Sequence, residues 1–346
     1  MKKQNLDGLI VTHMDFVRYL CGFTGSSGVL VVTQTSADFI TDFRYKDQAG
    51  KQVKGAKVIM NSGGDYIKAV ADSPKLSKVN TKLGYSGSYT TIAELNQFES
   101  CFPKALFVDA DNLTNQLGWV KEKDEIVSIT KACEIADTAF SRVLQIVTPG
   151  VRESEIAAEL EYQMKMLGSE KPAFETIIAS GYRSALPHGI ASLKKVKKGD
   201  FVTFDFGATV NGYVSDMTRT VCVGKADAKQ KKIYNLVLKA QKAGVRKVKA
   251  GVTGKAVDDA CRKIITKAGY GKNFGHGTGH GIGFYVHVGP RLSPISDDKL
   301  MPNNVVTVEP GIYISKWGGV RIEDDVVVTR SGGRVLNKSP KNLLEL

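Results

Sequence analysis

Apolar positions follow two different rhythms along the chain, and the change between them comes near residue 120. Upstream, short β-rich runs alternate with polar, turn-rich stretches and helical segments. Gly8 to Thr12, Gly28 to Thr33 and Ala37 to Thr41 read as strands, the first two joined through Gly22-Phe23-Thr24-Gly25-Ser26-Ser27-Gly28. A strand at Ala56 to Met60 leads through Asn61-Ser62-Gly63-Gly64 into a helix at Asp65 to Ala71, and Thr90-Thr91 caps a helix running to Ser100. This alternation predicts an α/β domain over residues 1–120. His13, Asp38, Asp42 and Glu94 lie in it at no spacing that suggests catalysis, so a supporting or substrate-covering role is expected.

From Lys121 the apolar residues Ile126, Ile129, Ile135, Ala139, Val143 and Val147 keep near-helical spacing until Thr148-Pro149-Gly150 stops the helix. A second helix, Glu153 to Leu167, ends at Gly168. Strands follow at Phe174 to Ala179, Phe201 to Phe206 and Tyr213 to Val223, the last two joined by Asn211-Gly212, a strong hairpin signal. Helices at Lys229 to Val248 and Lys255 to Lys267 precede strands around Val305 to Glu309 and Gly319 to Thr329. Two helices followed by strands thus occur twice. Residues 121–346 are expected to form an α+β domain of two similar halves.

Between those last helices and strands lies Gly275-His276-Gly277-Thr278-Gly279-His280-Gly281-Ile282-Gly283. So much glycine cannot make a stable helix, since each interior Gly costs about 1 kcal/mol relative to Ala. The segment reads as backbone bent tightly around something. It has neither the dinucleotide glycine spacing nor the Gly-Lys-Ser/Thr ending of a phosphate loop. It does offer imidazole, and four acids sit in short apolar strands around it: Asp205, Asp216, Glu309 and Glu323. With the hairpin turning at Asn211-Gly212, Asp205 and Asp216 come nearly opposite each other. Like charges so placed repel, and burial worsens the repulsion. A cation between them removes the conflict. Each acid alone is an ordinary strand-end residue facing solvent, but four of them with His280 make that explanation poor. One His and four carboxylates form a hard, oxygen-rich donor set. They suit two ions about 3.5–4 Å apart, sharing bridging carboxylates and a hydroxide, which points to hydrolysis. No serine lies in a G-x-S-x-G elbow and no cysteine has an evident histidine partner, which disfavours covalent catalysis.

Composition narrows the class without changing this reading. At 346 residues, 42% hydrophobic and 24% charged, the chain has the balance of a folded two-domain protein. Its net charge of +13 invites a nucleic-acid partner, but the lysines are dispersed and lack arginine-aromatic clustering. The charge is better assigned to solubility or to attraction of anionic substrates. The five scattered cysteines, without a CxxC, fit a reduced thiol set. No run approaches the 18 or so apolar residues of a membrane span, and the start, Met1-Lys2-Lys3, lacks the apolar run of a signal peptide. A cytoplasmic location with no membrane partner is expected.

Several segments, in order, resemble the pita-bread metallopeptidases, and within them the proline-specific branch of Xaa-Pro aminopeptidases and Xaa-Pro dipeptidases (prolidases). They are Ile178-Ala-Ser-Gly-Tyr-Arg-Ser-Ala-Leu-Pro-His-Gly189, Asp205-Phe-Gly207, Ser215-Asp-Met-Thr-Arg-Thr220, His276-Gly-Thr-Gly-His280-Gly-Ile-Gly283, Val308-Glu-Pro-Gly-Ile-Tyr313 and Gly319-Val-Arg-Ile-Glu-Asp324. Gly22 to Gly28 and Ile40 to Tyr45 resemble the creatinase-like amino-terminal domain of the same family. The resemblance implies a metal pair, with manganese or cobalt first and zinc or iron as alternatives. Asp205 would bind one ion, His280 and Glu309 the other, and Asp216 and Glu323 would bridge. Glu309 would also take the proton of the attacking water. His188 and His287 match histidines that bind substrate or stabilise the tetrahedral intermediate, while His276 and Arg321 match further active-site residues. A homodimer and a peptide substrate with proline second are implied too. Two departures stand out: Val288 follows His287 where many members carry an acid, and the chain reaches its first strand without the family's usual leading helix.

The Gly22 to Gly28 segment and compact length lean slightly toward the aminopeptidase. Against this, Glu170 to Gly181 and Gly289-Pro290-Arg291 are similar to archaeal prolidases, and Arg291 can hold a dipeptide's carboxylate in a bidentate pair. A methionine aminopeptidase would not need the leading 120 residues. A metal-free binding or chromatin-type relative would have lost ligands, and none is missing.

Overall fold

The computed structural model describes residues 1–71, 76 and 81–346. By contact the chain divides into two units, Met1–Leu117 and Gly118–Leu346. In the first, strands and helices alternate as expected: β1 (Gly8–Val11), α1 (Met14–Cys21), β2 (Val29–Thr33), β3 (Ala37–Thr41), α2 (Lys46–Gln52), β4 (Lys57–Met60), α3 (Tyr66–Ala71), β5 (Lys82–Tyr85), α4 (Ile92–Cys101), β6 (Leu106–Asp109) and α5 (Asp111–Leu117). The sheet runs β4-β3-β2-β1-β5-β6, antiparallel through β1, β2 and β3 and parallel elsewhere. The Thr91 hydroxyl and the Glu94 carboxylate cap α4 reciprocally. Helix α1 lies between the expected strands β1 and β2. Its apolar residues Phe16, Val17 and Cys21 are at helical spacing, and Gly22, at φ 81°, ends it in the left-handed region open to glycine.

The second unit contains α6 (Lys123–Val143), α7 (Glu153–Met166), β7 (Ile177–Ser180), β8 (Phe201–Phe206), β9 (Thr209–Val210), β10 (Tyr213–Val214), β11 (Met217–Cys222), α8 (Ala228–Lys247), α9 (Gly254–Lys267), β12 (Gly279–Gly281), β13 (Val288–Leu292), β14 (Val305–Val308), β15 (Gly311–Ile314), β16 (Gly318–Arg321), β17 (Asp324–Val328) and β18 (Gly333–Val335). The repeated helix-helix-strand order gives each half a hydrophobic core. In one, Ala136, Ala139, Phe140 and Val143 of α6 and Ile156 and Leu160 of α7 cover Phe204 and Val202. In the other, Ile233, Val237 and Ala240 of α8 and Val257, Cys261 and Ile265 of α9 cover Val306, Val308 and Val326. Their sheets are β11-β8-β7 and β13-β12-β14-β17-β18, with β15-β16 and β9-β10 as two-stranded ribbons.

Three local expectations are revised. Asn211 and Gly212 form the hairpin turn with φ of 51° and 82°, the positive pair a type I′ turn requires. The register it sets pairs Asp205 with Thr218, not with Asp216. Asp216 falls two residues along, on the same face of the ladder. The strands expected at Tyr213 to Val223 and Gly319 to Thr329 are each broken, at Ser215-Asp216 and Ile322-Glu323. At the first break Gly207 lets the Ser215 carbonyl come so close that a Cβ would stand 1.8 Å from it. Finally, part of the glycine-rich segment is a strand, not a bend. Gly279 and Gly281 sit between β13 and β14, where a Cβ would lie 2.1 Å from the Thr307 carbonyl oxygen or 2.2 Å from that of Gly289. These glycines serve close strand approach.

Candidate metal centre

The breaks in the strands lie where the acids are. Asp205 is near the end of β8, Asp216 immediately before β11, His280 in the middle of β12, Glu309 directly after β14, and Glu323 between β16 and β17. All five line one cavity of about 1240 Å³, with His188, His276, His287, Arg291 and Arg321. The fold therefore gathers every residue singled out from the sequence.

Within the cavity the groups are not equally close. Ligand atoms of Asp216, His280 and Glu323 lie within 4.8 Å of one another. The His280 Nε2 is 3.3 Å from Glu309 Oε1 and 3.7 Å from Asp216 Oδ2. Its Nδ1 lies 3.2 Å from the Gly281 carbonyl, which accepts the proton there; Nε2 points its proton at Glu309 and offers its lone pair to an ion once that proton is lost. The Thr307 hydroxyl accepts the His280 backbone N–H at 3.1 Å and donates to Glu309 Oε1 at 3.2 Å, linking the two residues. Asp205 is tied elsewhere: its Oδ2 meets the Arg321 guanidinium.

Burial makes the acids costly to ionise. Burial first, then repulsion from Glu323, Asp205, Asp325 and Glu309, pushes Asp216 well above the usual carboxylate range. Glu323 moves the same way through burial and repulsion from Glu309 and Asp205, and Asp205 rises through burial despite Arg321. Glu309 alone falls, to about 2, because the His280 hydrogen bond and charge outweigh its burial. The same pair raises His280 against its own burial. Burial and His280, with ring centroids 4.3 Å apart, hold His287 down at about 4.

Around this group runs a chain of directed hydrogen bonds. Arg321 donates to the Tyr313 hydroxyl at 2.8 Å and to Thr218 Oγ1 at 3.0 Å. Thr218 in turn donates to Glu323 Oε2 at 2.6 Å. The Tyr313 oxygen is 2.8 Å from His276 Nε2, while His276 Nδ1 is 2.7 Å from the Gly277 carbonyl. With Nδ1 protonated, Tyr313 donates to Nε2, and burial keeps that imidazole neutral. Asp325 accepts the Asp216 backbone N–H at 2.9 Å and the Cys133 thiol at 3.2 Å. Sequence reading assigned no role to Tyr313, Thr218, Thr307 or Asp325. Strand alternation could have found Thr218 and Asp325, each two positions from a recognised acid.

With this geometry, the profile of metallopeptidase family M24 matches residues 127–330, and that of the creatinase/prolidase N-terminal domain matches residues 1–117. The chain belongs to metallopeptidase family M24. It is a peptidase of the proline-specific pita-bread group, with a creatinase-type α/β domain before the α+β catalytic one. Among solved structures, an Xaa-Pro dipeptidase from Bacillus anthracis is 45% identical with a TM-score of 0.96, covering 100% of this chain and 96% of that one. An X-Pro aminopeptidase from Thermotoga maritima is 38% identical with a TM-score of 0.93, covering 99% and 98%. An Xaa-Pro dipeptidase of Pyrococcus horikoshii is 40% identical over 99% of this chain and 96% of its own length. Among the described residues no helix is long and apolar enough to cross a membrane.

M24 membership implies a divalent metal, and the residues fit one. Asp205 Oδ1 and Glu323 Oε1 are buried oxygens with no hydrogen-bond partner. Buried acceptors are ordinarily satisfied. Two orphaned carboxylate oxygens in residues lining the cavity that also contains the His280 imidazole match the ligand chemistry of a small divalent cation.

Proposed function

We propose that this M24 peptidase hydrolyses the Xaa-Pro bond of dipeptides with a pair of divalent ions, manganese or cobalt by preference. The observation that carries the reading is the convergence of Asp216, His280 and Glu323, with Glu309 against His280, in a cavity that also contains Arg291. Two ions held by Asp205, His280 and Glu309 and bridged by Asp216 and Glu323 would supply an acidified water and polarise the scissile carbonyl.

The chain's own groups handle the rest. Glu309, 3.3 Å from His280, takes the proton of the attacking water and passes it to the proline nitrogen, which must leave as an amine. His188 and His287 face the same cavity and orient the substrate carbonyl. His287, largely neutral above pH 4, can donate one N–H to the oxygen as negative charge develops there. Arg321 and His276 keep Tyr313 and Thr218 oriented around the ligands. Arg291, exposed on β13 at the cavity wall, is placed to pair with the free carboxylate of a dipeptide. The 45% identity to an Xaa-Pro dipeptidase supports the same choice.

A second reading, cleavage of longer peptides as an Xaa-Pro aminopeptidase, is favoured by the cavity's size. Its volume exceeds the about 300–1,000 Å³ usual for small-ligand sites. Hydrolysis of Xaa-Pro dipeptides beside Xaa-Pro-Yaa tripeptides, in manganese and in cobalt, separates the two. Cleavage confined to dipeptides is the expected result, and tripeptides cut as well or better would replace it with the aminopeptidase reading.

A further inference from the structure

Glu153 opens α7, is 0% exposed, and takes no part in lining the cavity. Its carboxylate nevertheless accepts five donors: Ser180 N and Oγ, each at 2.7 Å, Ser192 N at 3.1 Å, Ser192 Oγ at 2.6 Å, and the Arg183 guanidinium. Ser180 ends β7, and residues 181–191 between the two serines carry Arg183 and His188. One buried charge therefore clasps both ends of the loop and its first turn.

Other bonds reinforce the clasp. The Glu153 and Ser154 backbone N–H groups donate to the Lys194 and Ser192 carbonyls, each at 3.0 Å. The Lys194 ammonium joins Ser180 Oγ at 2.7 Å to Asp200 at 2.8 Å. Within the loop, Ser184 Oγ accepts the Gly319 N–H at 2.8 Å, on the strand that carries Arg321. Removing the carboxylate would strand the buried Ser180 N–H, the part-buried Ser192 N–H and an arginine charge, so the loop would have to find another path.

We propose that Glu153 is a positioning residue for His188, holding the 181–191 loop so that the imidazole stays at the cavity wall. This rests on the reading of His188 as a substrate-binding residue. Glu153→Gln preserves size but sets an amide N–H₂ against donors. In the manganese-loaded enzyme it is expected to lower kcat/KM on an Xaa-Pro dipeptide by about ten- to a hundredfold, mainly through KM, the scale of a misplacement near 1 Å. In a His188→Ala background the same substitution should change kcat/KM less than twofold. Amide hydrogen exchange should speed up within residues 181–191 and not in α8 or α9. Equal losses in both backgrounds, or no loss in a folded Glu153→Gln enzyme, would overturn the proposal. If Glu153→Gln fails to fold, Ser192→Ala, which removes one donor and leaves the carboxylate, carries the same cycle with a smaller expected loss. A His188→Ala enzyme as active as wild type would instead refute the role of His188 itself.

Discussion

Gly279→Ala adds one methyl group at the point where β12 meets β14. The new Cβ would lie 2.1 Å from the Thr307 carbonyl oxygen and 2.8 Å from Thr307 Oγ1. Real Cβ atoms hardly ever approach closer than about 3 Å, so the carbonyl must retreat by about 0.9 Å. The obstacle is backbone, which cannot swing aside like a side chain. Overpacking of this kind costs about 1–3 kcal/mol. Function should suffer more than stability, because the Thr307 hydroxyl holds both the His280 N–H and Glu309 Oε1. A shift near 1 Å in a catalytic group can cost about a hundredfold in rate, or about 2.7 kcal/mol. Urea unfolding of the metal-free protein measures the first quantity, and kcat/KM at saturating manganese the second. A Gly279→Ala enzyme within twofold of wild type in kcat/KM, with an unchanged unfolding midpoint, would refute the close-approach argument.

Lys121 is 2% exposed, its Nζ donates to the Trp119 carbonyl at 3.2 Å, and burial, partly opposed by Glu125, lowers its pKa to about 7. Between about pH 7 and the ordinary lysine value near 10.5 the unfolded chain binds the extra proton, so this residue makes stability rise with pH across that window and imposes its full cost below it, on the order of a few kcal/mol. Lys121→Met should therefore stabilise the protein at pH 6 and flatten the rise of unfolding free energy toward pH 10; an unchanged pH dependence in urea melts would count against the buried amine. Arg291→Gln should raise KM for Xaa-Pro dipeptides at least tenfold while leaving Xaa-Pro-amides, which lack the carboxylate, within twofold; equal effects on both would remove Arg291 from carboxylate recognition.

The sequence and the structure agree best where one physical signal dominates. The long amphipathic helix at residues 123–143 could be read from periodicity, and the Asn211-Gly212 hairpin from turn chemistry. The set of acids plus His280 was recognisable because several carboxylates in apolar strands have no comfortable explanation without a cation. What periodicity could not show was the set of local breaks. Strand-forming residues flank Ser215-Asp216 and Ile322-Glu323 on both sides, yet the strands stop there and change partners, setting Asp216 and Glu323 where the sheets part. The glycine-rich segment misled for a related reason. Glycine permits bends, but at residues 279 and 281 what matters is the missing Cβ, a constraint set by the neighbouring strands β13 and β14 and visible only once they pair with β12. Tyr313 is not legible in the sequence because a hydroxyl's role depends on its neighbour, and only the fold supplies one.

In the proposed mechanism five side chains hold the ions that activate water against the Xaa-Pro bond, with Asp216 shared between them. The most direct test is to count manganese bound per chain, by titration calorimetry with elemental analysis, in wild type and in Asp216→Asn, alongside Xaa-Pro hydrolysis. Two ions per wild-type chain, falling to one or none with loss of hydrolysis in Asp216→Asn, is the predicted result. A wild-type chain that hydrolyses Xaa-Pro without bound metal, or an Asp216→Asn variant that keeps both ions and full activity, would contradict the account.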